Sequence, residues 1–175
     1  MLPALTVIIT VLLAFVAVGF WQPAPYDFDG EDARGTNISG LYNPVSNEFE
    51  GTTRVVYPSG LNYEGAFKDH RFNGYGVFKG ESTGDDGEPF SWRFEGTFED
   101  GHLEGEGSYI DHLGSYEGDF VKSLPQGQGV YTSNSGWSYA GEFVAGMMTG
   151  EGTVTFADGN TASGTFEDGL EVKAQ

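Results

Sequence analysis

The chain has 175 residues, enough for one ordinary folded domain but not for two domains beside a membrane segment. It carries 26 acidic residues against 8 basic ones, a formal net charge of −18, and such a surface repels the phosphates of nucleic acids and anionic lipids, so neither is expected to bind the folded part. With no cysteine, the chain cannot form disulfides, thiolate metal sites or a cysteine nucleophile.

The first predicted element is a hydrophobic helix at the N-terminus. No charged side chain occurs before Asp27, and Leu2 to Trp21 are mostly apolar. A helix of that length rises about 30 Å, the thickness of the hydrocarbon core of a bilayer. We therefore predict a transmembrane anchor over residues 1–21, with the ring of Trp21 at the level of the lipid headgroups.

A cleaved signal peptide is the alternative for this segment, because Ala17-Val18-Gly19 offers a small-x-small cleavage site after an apolar run. The protein would then be secreted or periplasmic. Against cleavage, no Lys or Arg precedes the run, which is also longer than a usual signal-peptide core. We expect a single-pass membrane protein with the remaining domain outside the cytoplasm. Residues 22–37, rich in Pro and Asp, are predicted to be a polar spacer.

Glycine supplies 28 residues of the chain, and its placement is periodic. An aromatic-x-Gly-x-aromatic core, or a decayed form of it, recurs with starts 31, 22, 23 and 23 residues apart. The five copies are Tyr63-Glu64-Gly65-Ala66-Phe67, Phe94-Glu95-Gly96-Thr97-Phe98, Tyr116-Glu117-Gly118-Asp119-Phe120, Tyr139-Ala140-Gly141-Glu142-Phe143 and Ala162-Ser163-Gly164-Thr165-Phe166. A fixed period of this length indicates tandem structural repeats.

A Gly-x-Gly follows each of the first four cores at a constant distance. Its first glycine comes nine residues after the central glycine of the core. The four pairs are Gly74 and Gly76, Gly105 and Gly107, Gly127 and Gly129, and Gly150 and Gly152. A partial unit begins at Ile38, so we predict a repeat domain over residues 38–175 with incomplete first and last units.

Each unit is predicted to be a β-hairpin. Alternate residues of a strand share one face, so the two rings of each core flank a bare glycine. A ring from the neighbouring strand can then lie against the glycine backbone. The dipeptides Asp100-Gly101, Asp158-Gly159 and Asp168-Gly169 suit tight turns with positive φ. The expected fold is all-β: an elongated antiparallel meander of ten to twelve strands without a central globular core.

This pattern resembles the MORN (membrane occupation and recognition nexus) repeat, which begins Tyr-Glu-Gly-Glu-Phe and continues through Gly-x-Gly toward an Asp-Gly turn. The resemblance covers about residues 38–173. It rests on the glycine spacing shared by four units, while the first and last units and the 22-residue unit at Phe94 depart from it. The resemblance implies a scaffold that binds proteins, dimerises or attaches to membranes.

The unit that begins at Tyr63 contains about eight extra residues within the stretch Gly80 to Trp92. A lengthened hairpin is the simpler interpretation. The alternative is a loop that contacts a partner through Phe90 and Trp92, because loops often carry function.

The sequence offers little that indicates catalysis or metal binding. His70, His102 and His112 fall in predicted loops and turns, and a Ser108-His102-Asp111 arrangement lacks any supporting motif. The acidic clusters at residues 27–32 and 85–88 do not follow the order of an EF-hand loop. We predict no catalytic residue, no cofactor and no metal site, and hence no enzyme.

The aromatic rows are predicted mainly to pack on each other, with part of the face left open to a peptide, a helix or a second copy. The candidate partner-binding residues on this face are Tyr63, Phe67, Phe94, Phe98, Tyr116, Phe120, Tyr139, Phe143 and Phe166. We expect a non-enzymatic, membrane-tethered repeat scaffold that binds a protein partner or self-associates. The alternative function is a carbohydrate- or envelope-binding module whose exposed coplanar rings stack on sugars.

Overall fold

The structure is a single antiparallel sheet. The computed structural model describes residues 23–172, and its strands are β1 (Tyr26–Glu31), β2 (Asn37–Asn43), β3 (Glu48–Val56), β4 (Asn62–Lys68), β5 (Arg71–Thr83), β6 (Pro89–Glu99), β7 (His102–Ile110), β8 (Gly114–Val121), β9 (Leu124–Ser133), β10 (Ser138–Val144), β11 (Met147–Thr155), β12 (Thr161–Glu167) and β13 (Leu170–Val172). Their order in the sheet is their order in the sequence. The predicted all-β antiparallel meander of hairpins is confirmed for the described residues.

The sheet is longer than the expected ten to twelve strands because it begins inside the predicted spacer, residues 22–37. Residues 26–31 form β1, which pairs with β2 along its whole length, so their assignment to a spacer was wrong. Two aromatic residues, Tyr26 and Phe28, alternate there with acidic ones, which is the period of a half-buried strand. The ring of Phe28 packs edge-on against Phe49 at 5.8 Å between centroids.

The described part of the chain contains no candidate transmembrane helix: within residues 23–172 no helix is long and apolar enough to span a bilayer. The predicted anchor, residues 1–21, lies outside the described residues, and so does the alternative signal-cleavage site.

A row of glycines crosses the sheet from β4 to β12. Each member lies directly opposite the next one on the adjacent strand. The glycine row consists of Gly65, Gly76, Gly96, Gly107, Gly118, Gly129, Gly141, Gly152 and Gly164. The central glycine of every core and the second glycine of every Gly-x-Gly thus occupy equivalent places in the sheet.

Tyrosine rings lie on this row. A Cβ added at Gly76 would lie 2.5 Å from Oη of Tyr63 and 2.7 Å from two of its ring carbons. The Tyr63 hydroxyl reaches across the row and donates to the carbonyl of Ala66 at 2.7 Å, where the pairing of β4 and β5 is irregular. Tyr116 and Tyr139 repeat the arrangement two and three units further on, donating to the carbonyls three residues ahead.

The core is a strip of buried rings along this face, which we call the inner face. The tyrosine of one unit packs edge-on against a phenylalanine of the next unit. The three such pairs are Tyr63 with Phe98 at 5.4 Å, Tyr116 with Phe143 at 4.8 Å and Tyr139 with Phe166 at 4.8 Å between centroids. Aromatic pairs of this geometry contribute about 0.5–1.5 kcal/mol beyond the burial of their area, so they join successive hairpins.

From β4 onward, the hairpin turns at one end of the strands are tight two-residue turns with positive φ at both positions. Asp100-Gly101 and Asp168-Gly169 have this geometry, as predicted, and Lys122-Ser123 adopts it with no glycine at all. At Asp158-Gly159 the prediction was wrong in detail, because only the glycine has positive φ and the turn is longer.

The strained turn at Lys122-Ser123 is held by the preceding hairpin. The Lys122 N–H donates to the carboxylate of Glu104 at 2.9 Å, and the Ser123 N–H donates to the carbonyl of Leu103 at 2.9 Å. Left-handed backbone costs a non-glycine residue about 1–2 kcal/mol, which these bonds offset.

We predict that Gly76→Ala lowers the free energy of unfolding by about 2–3 kcal/mol, because the added methyl would clash with the ring of Tyr63. Gly60→Ala is the matched control: no atom lies within 4 Å of its added Cβ, and only its positive φ of 86° opposes alanine, which costs about 1 kcal/mol. Urea unfolding of the full chain in mild detergent measures both. Equal losses in the two variants would contradict the packing role of the glycine row.

Candidate partner-binding surfaces

Most of the predicted partner-binding rings lie in the core. Eight of the nine are buried: Tyr63, Phe67, Phe98, Tyr116, Phe120, Tyr139, Phe143 and Phe166. The ninth, Phe94, is half-buried. The sequence predicted that most of these rings pack on each other, and the structure shows them buried in the core. A buried ring offers no surface to a partner, so any contact on this face must come from rings that remain partly exposed.

Such rings form a band on the inner face beside the buried strip. We call it the aromatic margin, and it consists of Phe78, Trp92, Phe94, Tyr109, Tyr131 and Trp137, all of which are half-buried. Phe94 lies opposite Phe78 on one side and Tyr109 on the other. The margin thus runs across several strands and is interrupted where the buried Tyr116 and Tyr139 intervene.

Phe94 lies in the margin because its unit is packed differently from the others. Phenylalanine has no hydroxyl to bond the carbonyl beyond the glycine. Leu103, fully buried, covers the glycine row there instead, since a Cβ added at Gly96 would lie 2.8 Å from its Cδ1. The ring of Phe94 packs against Tyr109, with centroids 4.5 Å apart.

Sequence reasoning named Phe94 and Trp92 as candidates but missed the other four rings of the margin. Their signal was present, because Phe78, Tyr109 and Tyr131 each follow a Gly-x-Gly by two residues. That position faces inward, but its ring remains only partly buried. Trp137 is brought to the margin by its contact with Tyr131, with centroids 5.3 Å apart.

The segment Gly80 to Trp92 forms a lengthened hairpin, as the simpler interpretation proposed. β5 runs on to Thr83 and β6 starts at Pro89. The ring of Trp92 packs on Phe78 at 5.2 Å, and Phe90 lies 3.9 Å from the ring of His112. An open cavity of about 530 Å³ at the base of the hairpin is lined in part by Trp92. Partner contact through Phe90 and Trp92 stays a prediction.

The glutamates that recur in the cores point away from the rings, as predicted. Glu64 and Glu117 are exposed on this opposite side, which we call the outer face. Glu95 is half-buried there, because it pairs with Arg93 at 2.6 Å and accepts the Tyr75 hydroxyl at 2.7 Å.

The three histidines are dispersed. His70 is in the turn after β4, His102 begins β7 and His112 is in the turn after β7. Ser108 and His102 lie on the same strand six residues apart, a separation of about 20 Å at 3.3 Å per residue, so the arrangement of Ser108, His102 and Asp111 is not assembled. Among residues 23–172 no group of three His, Cys, Asp or Glu side chains could hold a metal ion.

The buried tyrosines have perturbed acidity. Burial away from water raises the pKa of Tyr116 to about 12, and burial together with a hydrogen bond to Asp111 raises the pKa of Tyr109 to about 12. Burial also raises the pKa of Tyr63 and Tyr139. The fold therefore favours the neutral phenol over the phenolate.

This shift predicts a loss of stability in alkali. Between pH 10 and pH 12 the unfolded chain releases the phenolic proton while the folded chain keeps it, so the free energy of unfolding falls as the pH rises. Tyr116→Phe should be less stable at pH 8 by about 1 kcal/mol, because its hydrogen bond to the Asp119 carbonyl is lost, but should fall less steeply above pH 10.

Denaturant unfolding between pH 8 and pH 12 measures both effects. Phe143→Leu is the control, since it loosens the same core without removing a titratable group. Identical alkaline slopes in wild type and Tyr116→Phe would contradict the account.

The repeat model of a known family matches this chain. The MORN repeat matches at residues 63–84, 94–111, 116–138 and 139–161, and each match begins at the first aromatic residue of a core described above. A search of curated proteins found no significant match to the chain.

Proposed function

This chain belongs to the MORN repeat family, and we propose that it is a non-enzymatic, membrane-tethered scaffold that binds a protein partner or a second copy of itself. MORN repeats are commonly protein-interaction or membrane-associated modules. Residues 2–21 would supply the tether, since the strong negative charge of the sheet opposes attachment to anionic lipids.

The observation that carries the proposal is the aromatic margin. Six half-buried rings lie beside the buried strip on one face of the sheet. Aromatic side chains are enriched at the centres of protein interfaces, because they bury a large area for little loss of conformational freedom. The buried rings take part indirectly by fixing the position of the margin.

A protein partner fits the margin better than a sugar does. Sugar binding requires several exposed rings in one plane, and the neighbouring rings here are inclined. The interplanar angle is 69° for Phe78 with Trp92, 69° for Trp92 with Phe94 and 49° for Tyr131 with Trp137. Rings at such angles suit the irregular side chains of a protein surface.

Affinity capture with mass spectrometry tests the proposal. The full chain in mild detergent should retain one stoichiometric protein partner, and so should residues 23–175. Trp137→Ala should weaken that capture more than about tenfold, because truncating a large aromatic residue that anchors an interface costs about 2 kcal/mol or more.

Leu124→Ala is the matched control, because Leu124 is 50% exposed on the outer face and its removal should leave capture unchanged. Thermal unfolding of each variant separates loss of binding from loss of fold. Capture by the full chain alone would place recognition in residues 1–22 and contradict the proposal.

A further inference from the structure

The outer face carries a trough over the C-terminal half of the glycine row. Its volume is about 610 Å³ and it crosses β8, β9, β10, β11 and β12. The trough lies on the outer face because the rings of Tyr116 and Tyr139 fill the space over the same glycines on the inner face. Its lining includes Glu117, Gln128, Val130, Ala140, Glu151 and Ser163.

The floor of the trough is almost bare backbone. Gly118, Gly129, Gly141 and Gly152 line it, and Ala140 and Ser163 beside them have small side chains. Val130 is the one larger apolar residue of the lining and is 44% exposed. A chain laid across the strands would therefore meet a shallow, accessible channel with a single apolar contact at its centre.

The C-terminal half of the sheet carries a large excess of negative charge. Residues 114–172 contain one basic residue, Lys122. They contain eight acidic ones: Glu117, Asp119, Glu142, Glu151, Asp158, Glu167, Asp168 and Glu171. In the described part of the chain the ion pairs are Arg71 with Asp100 and Arg93 with Glu95, both in the N-terminal half.

The trough carboxylates consequently lack a cationic partner among the described residues. Glu117 is exposed on β8, and Glu151 on β11 accepts one hydrogen bond from the Thr165 hydroxyl at 2.7 Å. The N-terminal half of the sheet differs, because Arg54, Lys79 and Arg93 are interspersed with its acidic residues. The complementary partner of the C-terminal half is a cationic one.

We propose that the trough is a second docking surface, which binds an extended, lysine- or arginine-rich segment of a protein partner. The segment crosses the strands with its basic side chains on Glu117 and Glu151 and a small apolar side chain on Val130. This surface is distinct from the aromatic margin, so the sheet can hold one partner on each face.

The geometry specifies the spacing of the basic residues. Glu117 and Glu151 are three strand spacings of about 4.8 Å apart and are offset by two residues along the strand, which gives about 16 Å. Two lysines four residues apart in an extended chain are about 13 Å apart and point to the same side. Their long side chains cover the remaining distance. Lysines five residues apart point to opposite sides.

Fluorescence anisotropy with labelled synthetic peptides tests the proposal on the full chain in nonionic detergent. The probe is a peptide of alanine and valine with two lysines four residues apart, and its isomer has the lysines five residues apart. The first peptide should bind more tightly than the isomer, and its binding should weaken as salt screens the carboxylates.

Two variants with the same change in net charge locate the site. Glu117→Gln with Glu151→Gln should weaken binding of the first peptide about tenfold. The control, Glu64→Gln with Glu99→Gln, removes two exposed carboxylates from the other half and should change binding less than about twofold. Equal weakening by both pairs, or equal binding of both peptides, would show attraction by net charge alone and overturn the proposal.

Loss of this site would not disturb the aromatic margin. Capture of a partner by the margin should survive Glu117→Gln with Glu151→Gln, and peptide binding should survive Trp137→Ala. The two surfaces can therefore fail independently.

Discussion

A tyrosine ring can lie flat across two strands of a β-sheet only where the residues beneath it have no side chain. That steric requirement organises this protein, because the glycine row from Gly65 to Gly164 gives the rings of Tyr63, Tyr116 and Tyr139 their places. Each ring then buries its hydroxyl against a backbone carbonyl of its own strand and its edge against the next unit. Within residues 23–172 a large aromatic core is thereby built on one sheet, without a second layer to cover it.

This packing gives the two faces of the sheet different roles. Most rings of the inner face are buried between hairpins, and the margin from Phe78 to Trp137 keeps partly exposed rings that a partner can reach. The outer face has no comparable packing to perform, and its polar and acidic side chains are free to meet charged ligands. Since each hairpin contacts mainly its neighbours in sequence, stability should be a sum of local terms, and surfaces can vary along the sheet without loss of the fold.

Sequence reasoning recovered the meander and the inward rings because alternation and glycine spacing are local signals. It missed β1, where acidic composition outweighed the alternation of Tyr26 and Phe28 with aspartates. The turn at Lys122-Ser123 was also missed, since its positive φ is stabilised by hydrogen bonds that its N–H groups donate to Glu104 and Leu103 on another strand. Burial was the hardest property to predict: Phe94 and Tyr116 occupy the same place in the repeat, but Phe94 has no hydroxyl to bond a carbonyl and Leu103 covers the glycines there, so Phe94 is only half-buried.

Amide hydrogen exchange of the full chain tests most directly whether rings on glycines hold neighbouring hairpins together. In Tyr139→Leu we expect protection to fall in β10, β11 and β12, which the Tyr139 ring covers or joins through Phe166, while β4 to β6 keep the protection of the wild type. A uniform loss along the whole sheet, or no loss beside the substituted ring, would contradict the account.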